Sequence, residues 1–171
     1  MKTFPQKLLQ IYDESPDSVS IHLLFNLLPE KTITYRDLIH GSIGYTHALK
    51  NAGIHPGEVV ILILEHGEDL VYSFFGAILH GSIPAIMPFL TEKLSPEQYR
   101  HSLSALFEIT APSAVITYPE FLAEVQQAIQ PGSSVRTVLV SDQVVPLTEI
   151  NSTVLKEGLE RLPDDIVLLQ H

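Results

Sequence analysis

The feature that most constrains the fold of this chain is an apolar strand–helix–strand stretch between residues 59 and 88. Residues 59–64 are apolar without alternation, which is typical of a strand covered on both faces. A helix is predicted over 67–80; it is apolar nearly all round, so it should be sandwiched between other layers. A second strand is predicted over 83–88. Strands that alternate with helices in this way indicate a parallel, layered α/β sheet.

The segment before this stretch predicts a helix, a hairpin and a second helix. A short helix is expected over 4–12, and two strands over 18–25 and 31–35 with a turn between them. Thr34 is expected to begin the second helix, because an acidic residue follows three positions later in the spacing of a capping box. Gly53 ends that helix where a left-handed residue is needed. The hairpin is expected to pack at one edge of the sheet.

After residue 88 the alternation of helices and strands continues. Ser95 is expected to cap a helix that Pro96 opens. The residues predicted to share about one face of this helix are Tyr99, Leu103, Leu106 and Ile109. The later elements are a strand over 114–117, a helix over 119–129, a strand over 135–140, a looser stretch to 162 and an interior strand over 166–170. The predicted fold class is therefore α/β: a layered, mostly parallel sheet flanked by helices, with a small N-terminal hairpin, forming part of a larger domain.

The composition is that of a globular protein and excludes several functions. Of the 171 residues, 45% are apolar and 18% are charged, which is too apolar for a disordered chain. Cysteine is absent, so disulfides, thiolate metal sites and cysteine nucleophiles are excluded. The 20 acidic residues outnumber the 10 basic ones, which argues against nucleic-acid binding. No apolar run approaches the ~20 residues of a membrane span. The first ten residues lack the apolar core of a signal peptide, so a cytoplasmic location is expected.

Two glycine patterns resemble catalytic motifs but are predicted to be structural. Gly76 and Gly81 have the spacing of a phosphate loop, but no lysine follows and both fall in or at the end of a helix. Gly76 is therefore predicted to allow close helix packing, and Gly81 to end the helix in a left-handed conformation. The Gly41 to Gly44 segment is one residue short of a nucleophile elbow and lies within a helix, so a serine hydrolase is not expected.

The eight histidines and the adjacent carboxylates do not predict a catalytic or metal site. No two histidines have the i, i+4 spacing of a helical zinc site. His40 and His47 share a helix face and are expected to be solvated. His66 lies at a strand-to-helix turn, where open α/β sheets bind ligands, but a turn residue is the favoured interpretation. The acidic pairs 13–14 and 164–165 are expected to be solvated surface. No catalytic, cofactor-binding or metal-binding residue is therefore assigned.

Three short elements between residues 33 and 88 carry a family resemblance. Residues 34–38 read Thr-Tyr-Arg-Asp-Leu, which matches a Thr-Tyr-x-(Asp/Glu)-Leu element. Residues 48–58 match an Ala-Leu-x-x-x-Gly-(x)-x-Pro-Gly-Asp stretch, with Glu58 in place of the usual Asp. Residues 79–88 match a Lys-Ala-Gly-x-x-x-x-Pro element, although His-Gly-Ser replaces the commonest wording. In these elements the chain resembles the N-terminal part of the acyl-adenylate-forming superfamily, which includes acyl-CoA synthetases, fatty acyl-AMP ligases, luciferases and the adenylation domains of nonribosomal peptide synthetases.

The resemblance implies a larger ATP-dependent ligase. Its members use ATP and Mg²⁺ to adenylate a carboxylic acid, and they pass the acyl group to CoA or to the phosphopantetheine of a carrier protein. Their phosphate-holding loop follows an apolar strand that residues 164–171 resemble. Residues 1–171 are thus expected to be the N-terminal subdomain of an AMP-binding acyl-activating enzyme, truncated before that loop. The chain by itself is expected to bind no cofactor and to be inactive.

Several alternatives stay open. The insert-like residues 89–97 favour fatty acyl-AMP ligases, in lipid metabolism or in loading ligases fused to polyketide or nonribosomal peptide synthetases. An amino-acid-activating domain and a stand-alone acyl-CoA synthetase are the other possibilities within the family. From another class, a noncatalytic α/β module that binds a partner or forms an assembly interface is the alternative. Because strand 166–170 would lack neighbours, its unpaired edge is expected to cause self-association.

Overall fold

A parallel sheet flanked by helices forms the centre of the computed structural model, which describes residues 2–27, 29–89, 95–150 and 152–170. In chain order the elements are α1 (Phe4–Glu14), β1 (Val19–Leu23), β2 (Lys31–Thr34), α2 (Tyr35–Asn51), β3 (Val59–Ile63), α3 (Glu68–His80), β4 (Ile83–Ile86), α4 (Pro96–Thr110), β5 (Ala114–Thr117), α5 (Leu122–Ala128), β6 (Thr137–Val140) and α6 (Ser152–Leu159). The four strands of the sheet are parallel and lie in the order β4-β3-β5-β6. The predicted α/β class with its hairpin is confirmed.

The central strand β3 supplies apolar side chains to both faces of the sheet. Ile61 and Ile63 belong to a core with α4 and α5 on one side, because successive strand residues point to opposite faces. Val60 and Leu62 belong to a core with α2 and α3 on the other side. All four are fully buried. Apolar and polar residues do not alternate in the sequence of β3 because both faces of this strand are covered, as predicted.

The hairpin does not lie at the edge of the sheet, so that prediction is wrong. Strands β1 and β2 pair only with each other and form a separate antiparallel sheet in the described part of the chain. Ile33 of β2 packs in a third core with Leu8 of α1, Ile39 of α2, Leu79 of α3 and Leu155 of α6. The hairpin buries its apolar side on the outer faces of α2 and α3, because those helices are apolar on both sides.

The helix ends follow the capping signals in the sequence. The Thr34 hydroxyl accepts a hydrogen bond from the Asp37 amide at 3.1 Å, and the Asp37 carboxylate accepts one from the Thr34 amide at 3.0 Å. Gly53 and Gly81 follow the ends of α2 and α3 with φ of 72° and 88°, which a residue with a Cβ adopts only under strain. These caps fix where the chain turns toward β3 and β4.

Two helical predictions need correction. Ile109 is 83% exposed, whereas Phe107 is buried beside Tyr99 and Leu103. The buried stripe of α4 follows every fourth residue, and Ile109 lies roughly 200° around the helix axis from Phe107. The stretch expected to be loose up to residue 162 contains α6, whose Leu155 is only 1% exposed.

The segment 166–170 is not the buried strand that the sequence predicts. Among the described residues its backbone pairing with the sheet is a single parallel bridge between Leu169 and Ala85, in which the Leu169 amide donates to the Pro84 carbonyl at 3.1 Å. The Leu169 side chain also packs, partly buried, against the core beside Ala85. Ile166 is 60% exposed and Leu168 is 42% exposed. The segment runs beside β4, the outermost strand of the described sheet, and so it has a neighbour on one side only. Its apolar composition alone does not bury it.

An arginine–glutamate pair joins the loop before β3 to Arg136, the residue that precedes β6. Arg136 donates to both carboxylate oxygens of Glu58, at 2.6 and 2.8 Å, and also to the Gly53 carbonyl at 3.2 Å. The His55 amide donates to the same carboxylate at 2.7 Å. The Arg136 guanidinium lowers the pKa of Glu58 to about 2 from its ordinary value of 4.5. The Glu58 that replaces the usual Asp of the matched element is therefore a structural clamp.

This clamp predicts a specific acid dependence of stability. Because the pKa of Glu58 is lower in the folded chain, its contribution is complete above pH 4.5 and is lost as the pH falls toward 2. Glu58→Gln is expected to cost no more than about 1 kcal/mol at pH 7, since solvent screens the pair, and to flatten the urea-stability profile below pH 4.5. Glu160→Gln is the control, because its carboxylate lies 3.8 Å from Lys156 in an exposed pair. Equal profiles for the two variants would contradict the prediction.

Candidate functional site

An apolar cavity of about 590 Å³ opens at the carboxyl ends of β3 and β4. Its wall comes from the end of β3, the first half of α3, the end of β4 and the segment that bridges to β4. The lining residues are Leu64, His66, Leu70, Phe74, Ile86, Met87, Pro88, Phe89, Leu168, Leu169 and Gln170. Most of these side chains are aliphatic or aromatic, and none carries a permanent charge. The cavity therefore suits the hydrocarbon part of a ligand.

The local fold explains why these side chains surround a cavity. Gly67 precedes α3, so the chain turns from β3 directly into a helix whose Leu70 and Phe74, one turn apart, face the same side. Beyond β4 the Met87 amide donates to the Leu62 carbonyl at 2.9 Å, which holds the chain against β3 for one more residue. The His66 and Phe89 rings then meet edge to face, with centroids 5.9 Å apart. The residues that follow β3 and those that follow β4 therefore contact each other at the edge of the cavity.

A second groove, of about 390 Å³, lies at the carboxyl ends of β3 and β5 and is strongly acidic. In the order β4-β3-β5-β6 the chain leaves β3 toward β4 and leaves β5 toward β6, in opposite directions. The carboxyl ends of β3 and β5 are therefore the switch point where open α/β sheets bind ligands. The carboxylates on its wall are Glu65, Glu68, Asp69, Glu120 and Asp142. This concentration of negative charge disfavours a phosphate group.

Tyrosines fix part of this acidic wall. The Tyr45 hydroxyl donates to Asp69 at 2.7 Å, and the Tyr72 hydroxyl donates to Glu68 at 3.1 Å. Burial, together with these carboxylates, raises the pKa of both tyrosines, so they remain protonated donors. Lys31 of β2 also contacts Glu68. The carboxylates nearest α2 are therefore held in place by groups of the protein.

His66, which the sequence places at a strand-to-helix turn, reaches both cavities at the carboxyl ends of the strands. It lies at the turn after β3 and lines both the apolar cavity and the acidic groove. His40 instead contacts the Tyr12 hydroxyl at 3.3 Å, and His47 contacts Asn51 at 3.0 Å, so the structure does not bring these two histidines together. In the described ranges no cluster of three His, Asp or Glu side chains has an arrangement that could hold a metal ion.

The acidic pairs have local roles. The Asp165 carboxylate accepts a hydrogen bond from the Leu162 amide at 2.7 Å and lies 3.3 Å from Arg161, so it stabilises a turn rather than standing free in solvent. Glu14 accepts from Gln10 at 2.5 Å within α1. Asp165 keeps 32% of its side-chain surface exposed, so it lies at the surface as predicted while it stabilises this turn.

The glycines have the structural roles that the sequence predicts. A Cβ on Gly76 would lie 2.6 Å from the Ser42 carbonyl oxygen, so α2 and α3 approach each other closely at this residue. Gly41 and Gly44 lie within α2, against the Tyr72 ring and the Val145 carbonyl. None of these glycines opens toward a ligand cavity.

Sequence reasoning missed the residues of the apolar cavity. It treated Leu70 and Phe74 as part of a helix sandwiched on all sides, and it assigned residues 166–170 to an interior strand. The available signal was the run of apolar residues that continues past the end of β4 through Met87, Pro88 and Phe89, all of which line the cavity.

None of the helices in residues 2–27, 29–89, 95–150 and 152–170 has the length and apolar character of a membrane span.

Comparisons with known proteins give consistent matches. No family model matches the chain. The chain is 25% identical over 149 residues to the 4-hydroxybenzoate–CoA/benzoate–CoA ligase of Rhodopseudomonas palustris. This alignment covers 84% of this chain and 26% of that protein. A fatty acyl-adenylate ligase from L. pneumophila, solved with acyl adenylate and pyrophosphate, has a TM-score of 0.72 at 18% identity and covers 97% of this chain and 27% of its own. The resemblance to the acyl-adenylate-forming superfamily is confirmed.

The chain is also similar in structure to an adenylation domain, which belongs to a keto acid-selecting nonribosomal peptide synthetase module and was solved bound to keto acyl adenylate. Its TM-score is 0.72 at 15% identity, and it covers 95% of this chain and 28% of its own. At such identities the solved structures of the superfamily establish the fold. The chain spans about a quarter of the length of these relatives. The relatives are ligases and adenylation domains, so the superfamily resemblance rests on both sequence and fold.

Proposed function

We propose that this chain forms part of an ATP-dependent adenylate-forming ligase and contributes the apolar cavity to binding of its carboxylic acid substrate. The observation that carries this proposal is the match of nearly the whole chain, at a TM-score of 0.72, to a ligase solved with its acyl adenylate. In the proposed reaction the acid's carboxylate attacks the α-phosphate of ATP, and pyrophosphate leaves. The acyl group then passes to a thiol of CoA or of a carrier protein. ATP would bring Mg²⁺, which neutralises charge on the phosphates.

The physical properties of the cavity support a hydrocarbon ligand. Its volume of about 590 Å³ lies within the usual range for small-molecule sites. Phe74, Leu70 and Ile86 present apolar surface to it, and removing such surface from water is favourable by ~25 cal/mol per Å². A fatty acid fits this chemistry better than an amino acid, whose ammonium would be left without a partner at an uncharged wall.

The two cavities differ in which part of the reaction they suit: the apolar cavity suits the acid substrate, and the acidic groove does not suit ATP. The acidic groove repels phosphates, and Lys31 is the cation that the structure places against its wall, already in contact with Glu68. Stabilising the charge on the transferring group needs cationic or backbone donors aimed at the phosphates. We therefore place the ATP-binding groups of the ligase outside the described residues of this chain. The expectation that residues 1–171 neither adenylate nor bind ATP tightly stays part of the proposal.

Acid-dependent exchange of pyrophosphate into ATP tests the proposed function. The protein encoded by the complete gene is expected to catalyse exchange with a fatty or aryl acid, and residues 1–171 alone are expected to give none. Phe74→Glu in the complete protein is expected to raise the KM for the acid at least about tenfold, because it puts a carboxylate on the apolar wall. Ile109→Glu is the control at an exposed helix position.

The outcomes separate the two classes of function. Exchange by residues 1–171 alone would overturn the assignment of the ATP site. A gene that encodes no further domain, or a complete protein that never catalyses exchange, would favour the noncatalytic partner-binding module. A Phe74→Glu protein with an unchanged KM would remove the cavity from the substrate site while leaving the ligase assignment intact.

Three finer expectations remain proposals. The preference for fatty acyl-AMP ligases and fused loading ligases rested on residues 89–97, of which positions 90–94 lie outside the described residues, and the acceptor is proposed as CoA or a carrier protein. Self-association is motivated by the exposed Ile166 and Leu168 beside β4. The cytoplasmic location stays a prediction from the sequence.

A further inference from the structure

The last residue of α3 is a buried histidine without a hydrogen-bond partner. His80 is 2% exposed, and neither Nδ1 nor Nε2 has a partner with hydrogen-bond geometry among the described residues. The backbone of Ile54 lies close enough to favour the protonated ring, but burial outweighs it. A buried polar group without a partner costs free energy, and a buried charge costs far more. This imidazole is therefore held in its neutral form. Burial lowers the pKa of His80 below its ordinary value of 6.5.

The helix α6 covers this end of α3 in direct backbone contact. A Cβ on Gly158 would lie 1.9 Å from the Leu79 carbonyl oxygen, and a Cβ on Gly81 would lie 3.3 Å from the Gly158 Cα. These contacts bracket His80 on both sides along α3. Leu155, one turn earlier in α6, packs with Leu79 in the same apolar cluster. The fit at Gly158 leaves no room for a methyl group, so α6 lies directly against the residues on either side of His80.

Three charged groups act on the His80 ring from the elements around it. Lys50 near the end of α2 opposes the protonated form, whereas Glu157 of α6 and Glu58 of the loop before β3 favour it. Burial outweighs both carboxylates, so the net direction is toward the neutral ring. Neither carboxylate forms a hydrogen bond with the ring in the structure.

We propose that His80 is an acid-sensitive latch, which holds α6 on the ends of α2 and α3 when neutral and releases it when protonated. A protonated ring needs water or a partner, and the buried ring forms a hydrogen bond with none of the described groups. The helix α6 has eight residues, so its separation hydrates His80 while the sheet and its two cores stay folded. The proposal does not depend on the function proposed above.

The sign and the pH window follow from proton linkage. With α6 released, the ring is hydrated and its pKa returns to about 6.5. Because the pKa is lower with α6 docked, release takes up a proton, and it becomes more favourable as the pH falls below 6.5. One proton per event increases the release constant by at most about tenfold per pH unit, until the docked form itself is protonated. Above pH 6.5 the ring is neutral in both states, so the docking of α6 does not change with pH through His80.

Amide hydrogen exchange of the whole chain between pH 7.5 and 5.5 tests the latch, after correction for intrinsic exchange rates. The amides of α6 are expected to lose protection several-fold toward pH 5.5, while those of β3 keep theirs. His80→Gln, which cannot take up the proton, is expected to abolish this pH dependence. His47→Gln is the matched control, because His47 is an exposed histidine on α2. If wild type and His80→Gln lose α6 protection equally, the proposal is overturned.

A second variant keeps the test decisive if His80→Gln does not fold. Glu157→Gln removes a carboxylate that favours the protonated ring, so the pKa of His80 falls further below its ordinary value and the pH dependence of α6 steepens. The NMR titration of the His80 ring in this variant is expected to shift to lower pH. Acid that strengthens α6 docking in the wild type, through a His80–Glu157 ion pair, would overturn the latch.

Discussion

Replacing Ile61 with alanine is expected to lower the free energy of unfolding by about 2–5 kcal/mol, the range for large aliphatic residues cut back in a packed core. Ile61 lies in the central strand, is fully buried, and packs against α4 and α5. Neighbouring strands lie on both sides of β3, so the structure has little freedom to close the resulting cavity. Since domains of this kind are stable by roughly 5–15 kcal/mol, the variant should be marginal.

Urea denaturation followed by far-UV circular dichroism measures this loss. Ile109→Ala removes the same atoms from a side chain that is 83% exposed, and it is expected to change the stability by less than about 0.5 kcal/mol. Comparing the stability losses of Ile61→Ala and Ile109→Ala tests whether the core includes Ile61 of β3 but not Ile109 of α4. Comparable losses in both variants would mean that α4 buries Ile109 after all.

Replacing Gly76 with alanine is expected to lower the free energy of unfolding by about 2 kcal/mol, in spite of the better helix propensity of alanine. The added Cβ would lie 2.6 Å from both the Ser42 carbonyl oxygen and the Tyr45 Cβ. Because one of these atoms belongs to the backbone, α2 and α3 must move apart. Their separation would also stretch the hydrogen bond from the Thr46 hydroxyl to the Gly76 carbonyl, now 2.9 Å long.

Thermal and urea unfolding of Gly76→Ala give the measurement, and a second glycine gives the control. Gly67 is the N-cap of α3, has an extended backbone, and has nothing within 4 Å of the place where its Cβ would lie. Gly67→Ser is expected to leave the stability unchanged or slightly higher, because serine is a preferred N-cap. A Gly76→Ala protein as stable as Gly67→Ser would show that α2 and α3 do not pack this closely.

Most of the fold was predictable because the signals are local. The Thr34 capping box, the left-handed Gly81 and the unalternating apolar run of β3 each specify a backbone geometry through neighbouring residues. The sequence does not fix which contacts an apolar residue finds. Ile109 and Leu155 look equally suited to a core, yet one is exposed and the other buried, because their neighbours come from distant parts of the chain.

The candidate site was less predictable for the same reason. His66 was recognisable, since a strand-to-helix turn is a local feature, but the cavity that it borders joins α3, β4 and a segment near residue 169. The helix α6 escaped prediction because it is short and contains Gly158, which weakens helix formation. What stabilises α6 is packing of Leu155 against Leu79, a tertiary contact.

The sequence by itself determined the α/β class, the capped ends of the helices, the burial of β3 and the resemblance to adenylate-forming ligases. Each depends on residue type and spacing over a few turns or one strand. Only the tertiary structure decided the strand order β4-β3-β5-β6, the place of the hairpin on α2, the exposure of residues 166–168 and the neutral state of His80. These features depend on which distant segments of the chain contact one another. Burial, local charge and the shape of a cavity are set by several segments together, so no single segment predicts them.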